Sequence, residues 1–236
     1  MVKHIGIVAV SAEGAALCYR TICAEGASVL GRHAHPEVTM HTYALSEYMR
    51  HVDAGRWDEA GRLLLASAKK LAAVGADFLI SPDNTLHQAI DEIRAASPLP
   101  WLHIAEVVVS EAVRRGYQRL GVLGTRYLME GPVYATKLAA QKLDYAIPEP
   151  ECRRRINEII FDELVYGRVE EQARSYFKAV IGQLKEQACD AVVLGCTEIP
   201  LLIGEADSPL PLLDSTRLLA RAALQTATEA EASSPS

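Results

Sequence analysis

The chain alternates short, unbroken apolar runs with longer segments whose apolar residues recur at helical spacing. The runs are "HIGIVAV" (4–10), "DFLIS" (77–81), "WLHIAE" (101–106), "RLGVLGT" (119–125) and "DAVVLG" (190–195). Between them lie amphipathic stretches such as "WDEAGRLLLASAKKLAAVG" (57–75) and "VEEQARSYFKAVIGQLKEQA" (169–188). A strand that is apolar on both faces belongs in a sheet covered by helices on each side, and its alternation with helices is the pattern of βαβ units. The expected fold is α/β, with mostly parallel sheets.

The pattern also repeats. "HIGIVAV" aligns with "RLGVLGT", placing Ile5 on Leu120 and Gly6 on Gly121. "GADFLISPDNTLHQAI" (75–90) aligns with "ACDAVVLGCTEIPLLI" (188–203), placing Asp77 on Asp190 and Asp83 on Cys196, at nearly the same offset. Two strand-to-loop junctions recurring about half a chain apart imply a duplicated α/β unit. The prolines of "ASPLPW" break a helix and put the end of the first domain near residue 97. The second domain is expected over 98–207. The remainder, 208–236, is assigned to the first domain: "LLDSTRLLARAALQT" (212–226) as a helix packing back on it, "ATEAEASSPS" as a disordered polar tail.

Composition narrows the partners. Half of the residues are apolar and 23% are charged, the balance of a globular protein. A formal net charge of -6 argues against a nucleic-acid surface, since "ECRRRIN" (151–157) is the one dense basic run and reads as a solvated helix start. The apolar run at the N-terminus is far too short to span a membrane and reads as a first strand. Five cysteines with no C-x-x-C pair suggest neither a disulfide framework nor a zinc site, and a reducing cytoplasm fits them best. His33, His35 and His41 are close in sequence, but in a loop and strand start rather than on one helical face, so their spacing is a poor metal motif.

The chemistry gathers at the two repeated junctions, "SPDNTLH" (81–87) and "LGCTEIP" (194–200). In open parallel sheets ligands collect beyond the carboxyl ends of the strands. Unpaired N–H groups at the following helix starts favour an anion there, and Asn84, Thr85 and Thr197 add side-chain donors. Cys196 follows a glycine at a helix start, a position that favours a thiolate. Asp83 occupies the equivalent place in the other half. Two proton carriers, one for each face of a planar carbanion, are what a racemase or epimerase requires. Taken singly, Asp83 also fits a helix cap and Cys196 a small buried residue.

At these residues the sequence resembles the aspartate/glutamate racemase superfamily, whose two catalytic cysteines stand in P-C-N-T and L-G-C-T-E motifs. Pro82, Asn84, Thr85 and His87 match the first motif, "LGCTE" the second, and the likeness covers nearly the whole chain. Glu198 is similar to the aspartate branch; the glutamate branch carries His at that place. The resemblance implies two pseudosymmetric α/β domains, each a short, mostly parallel sheet flanked by helices, with the active site at their interface. It further implies a homodimer and a reaction without pyridoxal phosphate or metal. It makes Asp83 and Cys196 the catalytic pair, with Ser11, His41, Asn84, Thr85, Thr125, Thr197 and Glu198 holding the substrate, Glu198 from behind. Three departures stand out. Asp83 replaces a catalytic cysteine, Leu128 replaces a threonine of the carboxylate pocket, and His41 stands where aspartate-specific members carry an arginine. The expected reaction is cofactor-independent racemisation of an amino acid, an acidic one by resemblance. The alternatives are a single-cysteine decarboxylase of the arylmalonate type and a non-catalytic amino-acid-binding protein.

Overall fold

Four of the five apolar runs become strands that are buried along nearly their whole length. In the computed structural model, which describes residues 1–232, the first of two units contains β1 (Ile5–Ala9), α1 (Ala12–Leu30), β2 (Val38–Thr42), α2 (Leu45–Val52) and α3 (Trp57–Ala73). It continues with β3 (Phe78–Ile80), α4 (His87–Ile93) and β4 (Trp101–Leu102). All residues of β1 and β3 are buried, and their four-stranded sheet is parallel throughout, in the order β2-β1-β3-β4.

The second unit repeats the plan. After α5 (Ile104–Arg115) come β5 (Arg119–Leu123), α6 (Arg126–Glu130), α7 (Pro132–Ala140), β6 (Asp144–Ala146), α8 (Pro150–Asp162) and α9 (Glu171–Glu186). Then follow β7 (Ala191–Leu194), α10 (Ile199–Leu202) and β8 (Leu212–Asp214). This sheet is also parallel, in the order β6-β5-β7-β8, with Leu123, Leu194, Ile156, Phe177, Ile181 and Leu184 in one buried cluster. Finally α11 (Ser215–Ala232) returns to the first unit, where the Lys3 N–H donates to the Ala227 carbonyl and Arg221 forks onto Glu25.

The duplication is visible bond by bond. Asp77 accepts the His4 N–H at 2.7 Å, and Asp190 accepts those of Gln118 and Arg119 at 2.6 and 3.3 Å, so each acid satisfies backbone donors where the central strand of its sheet begins. A second pair was not read from the sequence: "SPLPWL" (97–102) and "SPLPLL" (208–213). In each, the serine hydroxyl donates to the leucine carbonyl two residues on, at 2.8 and 2.6 Å. The second proline's carbonyl then takes an N–H of the neighbouring strand, Leu79 in one unit and Val192 in the other.

These prolines therefore introduce a fourth edge strand, where a missing N–H costs no ladder bond. The first unit accordingly runs through Ile104 rather than ending at residue 97, and β8 stays with the second sheet, so that unit extends to Ser215. The strand expected over 101–106 is cut to two residues because α5 starts at Ile104. Helix α11 runs to Ala232, so residues 227–232 of the expected tail are helical, while 233–236 lie outside the described residues. Among the described residues no helix is long and apolar enough to cross a membrane.

Candidate active site

In a 2-1-3-4 parallel order the topological switch lies between the first and third strands, and ligands bind beyond their carboxyl ends. That position is Ser11 and "SPDNTLH" in the first unit, and Thr125 and "LGCTEIP" in the second. Ser11 and Thr125 are themselves equivalent: each caps the helix after the central strand, accepting the Gly14 N–H at 3.3 Å and the Leu128 N–H at 3.2 Å.

Asp83 is partly buried and has a structural bond of its own, for its Oδ1 accepts the Leu86 N–H at 2.8 Å. The helix does not open directly at the junction: α4 begins at His87, after a turn that this bond closes. Asn84 is buried and Thr85 half-buried in that turn. Directly beneath, the imidazole of His87 is 0% exposed, with Nδ1 2.7 Å from the Asp83 carbonyl oxygen and Nε2 3.1 Å from the Ile104 nitrogen. A carbonyl only accepts and a backbone N–H only donates, so Nδ1 carries the hydrogen and the ring is neutral. The ring of His103 packs edge-on at 4.4 Å, with its Nε2 3.6 Å from an Asp91 oxygen.

His41 lies on the outer strand of the same sheet, level with Val8 of β1. Its Nε2 takes a hydrogen bond from the Lys70 ammonium and its Nδ1 donates to the Ser67 hydroxyl, both at 2.9 Å. Burial, then the Lys70 charge, lowers its pKa below the ordinary histidine value. Lys70 also stands 4.6 Å over the Tyr43 ring, an arrangement suited to a cation. The Tyr48 phenol is fully buried nearby and pushed up to about 12, first by burial, with Ser67 beside it opposing and the Asp83 charge adding to the rise. The group around His41 thus includes Ser67, Lys70 and Tyr48, which helical periodicity disguised as ordinary positions of α2 and α3. His87 was visible in the first motif, but nothing in its spacing announced a bond to the Asp83 backbone.

In the second unit Cys196 follows β7 through Gly195, where a Cβ would lie 2.7 Å from the Leu123 carbonyl oxygen. Only glycine lets the chain pass there. Leu128, the departure from the carboxylate pocket, fills the space against Gly124 and Gly195 and is 1% exposed. The Cys196 Sγ and the Thr197 hydroxyl both donate to Oε2 of Glu198 at 3.0 Å, and all three side chains are buried. Glu198 Oε1 is buried with no hydrogen-bond partner among the described residues. This corrects the expectation drawn from the helix start. Helix α10 is a single turn beginning three residues later, so its field is small, and a neighbouring carboxylate accepts the thiol's hydrogen.

Likeness to known proteins bears on the family and the fold. The model of the Asp/Glu/hydantoin racemase family matches residues 5–223. A broad specificity amino-acid racemase, RacX, of Bacillus subtilis is 24% identical over 169 residues, 72% of this chain and 73% of the relative. Among solved structures, a proposed Asp/Glu racemase from Yersinia pestis is 32% identical with a TM-score of 0.87, covering 95% of this chain and 99% of its own. A glutamate racemase from Francisella tularensis in complex with D-glutamate shares the fold at 14% identity, with a TM-score of 0.71 over 99% of this chain and 84% of its own. The chain belongs to the Asp/Glu/hydantoin racemase family, a family of isomerases.

Proposed function

We propose that the protein inverts the α-carbon of an amino acid without a cofactor, Asp83 and Cys196 serving opposite faces of that carbon. The observation that carries this reading is their equivalence: each follows the third strand of its own sheet at the same switch-point position. Asp83 keeps its Oδ1 on the Leu86 N–H, which orients the carboxylate for the part of a base. The Cys196 thiol, with its hydrogen on Glu198, suits an acid. As Asp83 takes the α-proton, Cys196 delivers another from the opposite side. In the reverse direction Cys196 must be the thiolate, its proton held by Glu198, and Asp83 the acid, having taken a proton from solvent. Ser11, Asn84, Thr85, Thr125 and Thr197 supply hydroxyl and amide donors for the α-carboxylate.

Acidic amino acids are the first substrates to test, because relatives include enzymes named glutamate racemase and because the Lys70–His41 pair puts a held cation in the first unit. The test is α-proton exchange in deuterated water, followed by NMR over L- and D-amino acids. Inversion of at least one pair is expected. Binding without exchange would leave an amino-acid-binding protein, and exchange with retention in every case would leave a one-sided enzyme. The cap bond on Asp83 gives that one-sided reading, with Cys196 as sole proton donor, its specific support.

A further inference from the structure

We infer that His87 is the positioning residue that sets Asp83 for proton transfer, an inference resting on the catalytic role proposed above for Asp83. Two of the bonds that hold the Asp83 turn reach Asp83 itself: Leu86 N–H to the Asp83 carboxylate, and His87 Nδ1–H to the Asp83 carbonyl. The first engages one carboxylate oxygen and does not bear on the peptide plane that carries the Asp83 carbonyl. The second fixes that plane. Rotation about it would swing the remaining oxygen by an ångström or more, which is the scale on which proton transfer fails.

His87 is able to do this because it is fixed at its other end. Its Nε2 is bonded to the N–H of Ile104, the first residue of α5, and its face is packed by His103. The ring thereby joins the end of β3 to the end of β4, the two strands whose loops meet there. In the second unit Pro200 aligns with His87 and offers no ring nitrogen, while the side chain of Cys196 donates to Glu198. The difference follows from the chemistry of the two groups. A thiol hydrogen bond orients the reactive atom directly, whereas an aspartate already spending one oxygen on a cap is aimed through its backbone.

The test separates the two ends of the ring. His87→Asn keeps an N–H donor near the position of Nδ1, and His87→Gln keeps an acceptor near that of Nε2. Both are compared with Asp83→Asn and with Asp83→Asn/His87→Gln, scoring inversion and α-proton exchange for L- and D-aspartate and glutamate, with melting curves alongside. His87→Asn should invert within about tenfold of the unaltered protein. His87→Gln should lose about 100-fold in kcat with KM nearly unchanged, while exchange at the Cys196 face persists. Adding it to Asp83→Asn should cost nothing more, because the turn then aims no working base.

Active His87→Gln beside inactive His87→Asn would overturn the inference, as would equal loss of exchange and inversion, or an additive double variant. Each would make His87 a support of the fold alone. Nitrogen NMR of the unaltered protein is a check independent of any variant: an Nε2–H or doubly protonated ring contradicts the clamp. Normal inversion by Asp83→Asn would instead remove the catalytic role of Asp83, a result distinct from a dead Asp83→Asn beside a fully active His87→Gln.

Discussion

Cys196 and Asp83 differ in kind, and the difference makes separate predictions. Cys196→Ser keeps the shape but replaces the thiol with a much weaker acid, so inversion should fall at least about 1000-fold while ligand binding persists. Glu198→Gln removes the group that accepts the thiol hydrogen. It should lower kcat most in the direction that begins with a Cys196 thiolate. Because the equilibrium constant of racemisation is unity, kcat/KM must stay equal in the two directions, so the imbalance will be read in kcat and KM separately. Equal kcat losses both ways would remove Glu198 from proton storage. Asp83→Cys gives both faces a thiol and should narrow any difference in kcat between the enantiomers; a wider difference would contradict the two-base reading. The two proposed acid–base positions were legible in the sequence because duplication put Asp83 and Cys196 in register. Lys70 and Tyr48 were not, because each comes from a helix whose periodicity explains it without chemistry, and only the fold brings them near His41 or Asp83.

Among the elements, legibility followed burial. "IGIVA" and "AVVL" are strands buried on both faces and could be read at once. β2 and β6 are edge strands, "VTMHT" and "DYA", with one side toward solvent, and so lack the apolar run that marks the others. The bonds that begin the central strands predict their own cost: Asp190→Ala leaves the N–H groups of Gln118 and Arg119 without their acceptor. About 1–2 kcal/mol should be lost in urea unfolding, and Asp190→Asn, which keeps one acceptor, should lose less. A loss below about 0.3 kcal/mol would show that water replaces the aspartate. On α5, Arg114 and Arg115 hold the Glu111 carboxyl down to about 2, hydrogen bonding to Arg114 being the largest cause. With a folded value below the unfolded one, the triad contributes stability above about pH 4.5 and loses it as pH falls through about 2. The arginines are exposed, so the contribution is only about 0.5–1 kcal/mol. Glu111→Gln should show that deficit at pH 7 and none near pH 2; a constant deficit would make it a packing effect.

At the scale of the whole molecule, the two units are built from the chain differently. The second is one continuous segment, whereas the first is completed by α11, whose Leu219, Ala220, Ala223 and Ala227 are fully buried. Removing the residues after Ser215 should therefore unfold the first unit and spare the second, read as lost hydrogen-exchange protection in β1 and β3 with β5 and β7 unchanged. Uniform loss over both units would mean that they stabilise each other too strongly to be separated. The same discontinuity orders the protein's synthesis. The first sheet leaves the ribosome early and must wait, its β1 backbone within reach of α11 only after more than a hundred further residues have been translated, while the second unit has every strand it needs beforehand. The first unit is thus the one that needs protection from aggregation during translation.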